Sequence, residues 1–141
     1  MFPDWETLPY DRFSPLREIV SERISSLNNI SVANRGLILT TLRACLQCLA
    51  PKSWITDSTF SLEIGKSYPR SELLMRLTEL GYARRRQVNE LGDMAVRGSV
   101  IDVCLLGEKS PVRLDFFDDS LESIRYFSLD NQRSQKSIDS I

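Results

Sequence analysis

The sequence has no histidine and only three cysteines among its 141 residues. The first absence excludes Ser-His-Asp and Cys-His catalysis and every histidine-ligated metal site within the chain. The second, a small and odd number, excludes a disulfide framework and makes a reducing, cytoplasmic setting the expectation. No apolar run approaches the roughly 18 residues of a membrane span, and no basic segment leads into an apolar one at the start, so neither a spanning helix nor a signal peptide is expected. A charge excess of one sign is also missing: 18 Lys+Arg stand against 19 Asp+Glu, for a net −1. That balance excludes a bulk polyanion binder and leaves room for a local basic patch. What is present is ordinary for a folded chain, 42% apolar and 26% charged. A chain of this size can bury a core without disulfides or metal.

The charge is unevenly spread. Residues 1–50 are balanced, residues 51–97 carry +2 and residues 98–141 carry −3. The middle excess sits at Arg84-Arg85-Arg86, and arginine outnumbers lysine 14 to 4. Arginine is the better residue for two-pronged recognition of carboxylate or phosphate.

Pro3, Pro9 and Asp11 punctuate an aromatic-rich, irregular start. Ser14-Pro15 then reads as a helix opening, with Leu16, Ile19, Val20, Ile24 and Leu27 as one apolar stripe and Asn28-Asn29 as its end. Leu37-Ile38-Leu39 reads as a buried strand, and Thr40-Thr41 leads into a second helix stopped by Pro51. A helix–strand–helix does not make a fold; it resembles a piece of a larger α/β sheet. After Pro51 the pattern changes. Thr59–Ile64 alternates as a strand, and Pro69–Leu80 is a helix closed by Gly81. Strand candidates follow at Met94–Val96 running into Val100–Leu105, at Pro111–Phe117 and at Leu121–Phe127, with a last one near Ser137–Ile141. The fold class is therefore α/β followed by α+β: residues 1–51 a helix–strand–helix fragment, residues 52–141 a small antiparallel sheet domain with one packed helix. Alternation puts Val112, Leu114 and Phe116 on the core face. Asp102, Cys104, Arg113, Asp115 and Phe117 fall on the outer face, a mixture suited to a protein partner.

Short motifs add little chemistry. Gly65-Lys66-Ser67 imitates the end of a P-loop, but position 60, where the first glycine belongs, is Phe60. Cys45 and Cys48 share a helix face, yet no histidine and only Cys104 remain to complete a zinc site, so they read as buried apolar filler. Arg84-Arg85-Arg86 reads as a solvated run, Asp118-Asp119 as a hairpin turn, and Asp102, Arg113 and Asp115 as cross-strand pairs or partner contacts. No catalytic residue, metal ligand or cofactor is expected in this chain.

Longer strings are more telling. Phe2-Pro3-Asp4-Trp5-Glu6-Thr7-Leu8-Pro9-Tyr10-Asp11, Phe13-Ser14-Pro15 and Ser21-Glu22-Arg23 resemble the N-terminal region of the bacterial transcription-repair coupling factors. Gly81-Tyr82, Arg84, Val88, Gly92, Arg97-Gly98, Asp102, the run Pro111–Asp119, Ile124-Arg125 and Gln132-Arg133 continue the resemblance in order. It implies that residues 1–51 are part of a degenerate helicase-like domain 1, and that residues 52–141 are the UvrB-like domain 2 that binds UvrA. It further implies a chain that begins within domain 1 and ends before the parts that engage RNA polymerase and double-stranded DNA and that use ATP and magnesium. The matching positions for a UvrA contact are Arg97, Arg84, Arg113 and Asp115. The rival readings are the corresponding domain of UvrB itself and a nucleic-acid-binding module. Two departures stand out: Cys104-Leu105-Leu106 replaces an aromatic followed by proline, and Arg85 and Arg86 stand where apolar or acidic residues are usual.

Overall fold

The computed structural model describes residues 1–8 and 10–141. They form two compact units, Met1–Phe60 and Ser61–Ile141.

The first unit holds α1 (Arg17–Val32), α2 (Leu42–Cys45) and α3 (Lys52–Asp57), with α3 against α1. Helix α1 does not open on Ser14-Pro15; Leu16 is its extended N-cap and makes no side-chain cap bond. Nor does Asn28-Asn29 stop it, since Asn29 O accepts the Ala33 N–H at 3.0 Å beyond the last turn. The most buried residues of α1 are not its apolar stripe but Ser21 and Arg23. Leu16 is exposed, and Ile19, Val20, Ile24 and Leu27 are half-buried. Arg23 is only 2% exposed because its guanidinium lies 4.3 Å from the Phe2 ring centre and 4.2 Å from that of Trp5. Its Nη1 also donates to Pro3 O at 2.6 Å. Burial pulls the Arg23 pKa down, and the nearby Asp4 charge opposes that.

Asp4 holds the same N-terminal segment from the other side. It accepts hydrogen bonds from Arg43 Nε (2.6 Å), Thr41 Oγ1 (3.2 Å) and Gln47 Nε2 (3.3 Å). The Arg43 bond is the main reason the Asp4 carboxyl lies below its usual range.

Leu37-Ile38-Leu39 forms no strand. It is 55–85% exposed, and Leu39 O accepts Phe2 N at 2.8 Å. A parallel-sheet strand needs neighbours on its N–H and C=O groups along its length, and this single bond from Phe2 does not make a ladder. Helix α2 is likewise a single turn. Thr41 Oγ1 caps it by accepting from Ala44 N at 3.1 Å, but it ends at Cys45. Cys45 and Cys48 are therefore exposed thiols rather than core filler.

The second unit holds α4 (Arg70–Glu79) and six strands in one sheet of order β1-β2-β3-β4-β5-β6. These are β1 (Ala83–Arg84), β2 (Asp93–Arg97), β3 (Val100–Val103), β4 (Val112–Phe117), β5 (Ser120–Phe127) and β6 (Ser134–Ile138). Only the β1–β2 pair is parallel. The residues expected to run from Met94 through Leu105 are divided by a two-residue turn, Gly98-Ser99, which makes β2 and β3 a hairpin. Gly98 has φ +58°, and a Cβ there would meet nothing within 4 Å. The glycine thus serves the left-handed turn.

Thr59–Ile64 is not a regular strand. The chain bends at Gly65, and the bend divides its backbone bonds between two places. Before it, Leu62 and Ile141 exchange N–H···O bonds of 2.6 and 2.9 Å; after it, Lys66 O accepts Leu121 N at 3.0 Å. Lys66 itself pairs with Glu63 at 2.8 Å on this bend.

The core face of the sheet follows the alternation expected of β4. Val112, Leu114 and Phe116 are buried beside Ile101, Val103, Leu121 and Ile124, and Leu73 and Leu77 are the buried residues of α4. Arg70 begins α4 and ties it down: its N–H donates to Asp119 Oδ1 at 3.1 Å and its Nη2 donates to Gly98 O. In the first unit, Arg23→Ala removes a cation stacked on two rings and a bond to backbone, so a loss of about 2–3 kcal/mol is expected. Urea unfolding followed by tryptophan fluorescence checks this, with Arg12→Ala as an exposed control within about 0.5 kcal/mol.

Candidate functional site

On the sheet face away from that core, the register lines up Ala95, Asp102, Arg113 and Arg125 in one row, and Arg97, Val100, Asp115 and Ser123 in the next. The face is the one expected for Asp102, Cys104, Arg113 and Asp115. The expected exposure is not found for two of them.

Asp102 is 1% exposed. Arg113 covers it with a two-pronged pair, Nε to Oδ1 at 2.6 Å and Nη2 to Oδ2 at 2.9 Å, and Arg97 Nη2 donates to the same Oδ2. A carboxylate this deep persists as an ion only when its lone pairs are met by charge. Arg113 is fully committed. Its Nη1 donates to Gln132 O (3.3 Å) and Ser134 Oγ (3.2 Å), and its guanidinium lies 4.8 Å from the Phe127 ring centre. The hydrogen bond to Asp102 pushes the Arg113 pKa up.

Cys104 is buried in a small second core with Val88, Ala95 and Phe127, against which Leu91 and Leu129 pack. Residues 85–92 reach this side of the sheet because buried Asp93 gathers them. Its Oδ2 accepts Asn89 N and Glu90 N, both at 3.2 Å, and its Oδ1 meets Arg85 Nε at 3.5 Å. Arg85, which sequence reasoning leaves without a role, is thus half of an ion pair with a buried carboxylate. The tyrosine of Gly81-Tyr82 braces the same region, its hydroxyl accepting Leu106 N at 3.0 Å.

Three of the four residues chosen from sequence come together here. Arg97 remains 50% exposed by side chain, and only its Nη2 is engaged among the described residues, leaving Nε and Nη1 open. Asp115, 36% exposed, accepts from Ser99 Oγ at 3.2 Å and from Arg125 Nη2 at 3.4 Å. Arg84 is apart: it lies in edge strand β1 in register with Met94, whose side chain belongs to the opposite, core face. Asp93 and Arg125 were missed, although the alternation that placed Arg113 and Asp115 would have placed Arg125 as well. Among the described residues no group of three or more Cys, Asp or Glu side chains is arranged to hold a metal ion, and no helix is long and apolar enough to cross a membrane.

Residues 60–141 match the family described as the UvrB interaction domain. The whole chain is 40% identical over 141 residues to the transcription-repair-coupling factor of Haemophilus influenzae. It is 37% identical over 138 residues to that of Escherichia coli, and 32% identical over 146 to that of Mycobacterium tuberculosis. Alignments to these three take in 98–100% of this chain and 12% of each relative, so the chain spans about an eighth of the proteins it resembles.

Two outcomes follow from the geometry. Asp102→Asn leaves two guanidiniums around a neutral amide and is expected to cost about 3 kcal/mol in urea unfolding. Asp102→Leu combined with Arg113→Met recovers most of it, because the pair is replaced by apolar packing. Burial, reinforced by the Asp93 charge, pushes the Cys104 thiol pKa up. The unfolded thiol therefore gives up its proton first, near pH 8.5. The contribution is whole below that pH and is lost as pH rises through the higher folded value. Urea midpoints between pH 7 and 10 should fall less steeply for Cys104→Ala than for the natural chain.

Proposed function

The chain belongs to the UvrB interaction domain family, and from that premise we propose that it is the UvrA-binding adaptor of a transcription-repair coupling factor, a non-catalytic module that brings excision repair to stalled RNA polymerase. In the longer protein, other regions would engage the polymerase and double-stranded DNA and would use ATP and magnesium.

The observation that carries this reading is the state of Arg97. One edge of its guanidinium is fixed by a carboxylate that solvent does not reach, and the other edge is open. Such a group meets a partner carboxylate with its orientation already set, and the ordering cost of a free arginine is largely avoided. Half-exposed Asp115 lies in the same row and offers the complementary sign. Arg113 supports the contact from beneath by holding Asp102, and Arg84 would reach the partner from the sheet edge.

Binding of purified UvrA, measured by titration calorimetry, tests the reading. Arg97→Ala is expected to weaken it by about 2–4 kcal/mol with little change in urea midpoint, since Arg113 still satisfies Asp102. Arg97→Lys should recover only part, because an ammonium lacks the planar fork. Normal binding by the alanine variant removes Arg97 from the contact. A gel shift on duplex DNA in place of UvrA binding would favour the nucleic-acid module instead.

A further inference from the structure

Two of the three cysteines face solvent. Cys45 and Cys48 are exposed, whereas Cys104 is buried with Val88, Ala95 and Phe127. A free cysteine packs as a small apolar residue and is usually buried, so a solvent-facing pair three positions apart offers thiol chemistry rather than packing. Cys45 is the last residue of α2, and the chain tightens directly after it. Leu46 N donates to Leu42 O (3.2 Å) and also to Arg43 O (3.3 Å), and Gln47 N donates to Ala44 O at 3.4 Å. Bonds of three-residue span wind the chain more tightly than an α-helix and draw side chains three apart toward the same side.

The two thiols are held differently. On the Cys45 side, Thr41, Arg43 and Gln47 all bond to Asp4, and Ala44 is 2% exposed, so the turn that carries Cys45 is fixed. The anchoring stops at Gln47. Cys48, Leu49 and Ala50 are exposed and make no hydrogen bond among the described residues before Pro51 opens α3. One sulfur is thus fixed and accessible, and the other rides on a short leg with no bonds to break when it turns. A disulfide needs its two Cα atoms within about 7 Å, and such a leg can meet that demand without unfolding its neighbours. The pair has no further Cys, Asp or Glu beside it to complete a metal site among the described residues, so exchange between sulfurs is the chemistry it offers.

We propose that Cys45 and Cys48 are a dithiol modification site that reacts with low-molecular-weight disulfides and closes into an internal Cys45–Cys48 disulfide. The thiolate of one cysteine attacks a sulfur of the reagent. The reagent's S–S bond breaks, a mixed disulfide forms, and one half leaves as a thiolate that takes up a proton. The thiolate of the other cysteine then attacks the protein sulfur of the mixed disulfide. That step joins Cys45 to Cys48 and releases the second half as a thiol. The protein gives up two electrons and two protons, and the reagent is reduced to two thiols. Cys104, enclosed in its apolar cluster, takes no part.

The test exposes the dilute, folded chain to excess oxidised glutathione and reads intact mass and peptide maps. The natural chain is expected to lose two hydrogens, to yield a linked Cys45–Cys48 peptide and to recover its original mass in dithiothreitol. Cys45→Ser and Cys48→Ser each lack the second thiol and should hold one glutathione, with the natural chain retaining less than about a tenth of that adduct. Cys104→Ala should behave as the natural chain does. A lasting glutathione adduct on the natural chain, disulfide-joined pairs of chains, or a Cys45–Cys48 bond that forms only in urea would each overturn the proposal.

Discussion

The buried carboxylate of Asp102 is the constraint around which the second unit is arranged. It sits mid-sheet on β3 with essentially no contact with water, and it is therefore met by charge from the neighbouring strands. Arg113 on β4 and Arg97 on β2 supply it, so three adjacent strands are tied on one face by a single anion. That demand fixes Arg113 beneath the surface, leaves Arg97 half out, and puts Arg125 beside a like charge. A sheet with an apolar residue at 102 could be as stable, but it would present a loose arginine at 97.

The sheet was legible because its signals are local. Two-residue alternation in Pro111–Phe117 and short polar connections specify β4, β5 and their faces without knowledge of the rest. The faces of Asp102, Arg113 and Asp115 came out correctly for the same reason. Burial did not, because it depends on what arrives from elsewhere: Asp93 brings residues 85–92 onto the outer face, and that covers Cys104. Two-residue β1 carries too little pattern to be read at all.

The first unit was less legible, for a different reason. Its apolar spacing suggested a stripe on α1 and a buried strand at Leu37–Leu39. The order instead comes from a cation between two rings and from Asp4 collecting bonds from Thr41, Arg43 and Gln47. Residues about 20 and 40 positions apart meet there. Hydrophobic periodicity does not report such contacts. The aromatic string Phe2–Trp5 and the arginine at 23 belong to the family resemblance, and their stacking gives those residues a physical reason to occur together.

The placement of the indole rings gives the molecule an optical asymmetry. Both tryptophans of the chain, Trp5 and Trp54, belong to the first unit, one beneath the Arg23 guanidinium and the other 55% exposed. The second unit has none; its chromophores are Tyr68, Tyr82 and Tyr126. Emission excited at the red edge of the absorption band therefore comes from the first unit alone. The sheet that carries Arg97 and Phe117 is dark at that wavelength, and a tryptophan on an incoming partner would be seen against it without interference from the face it touches.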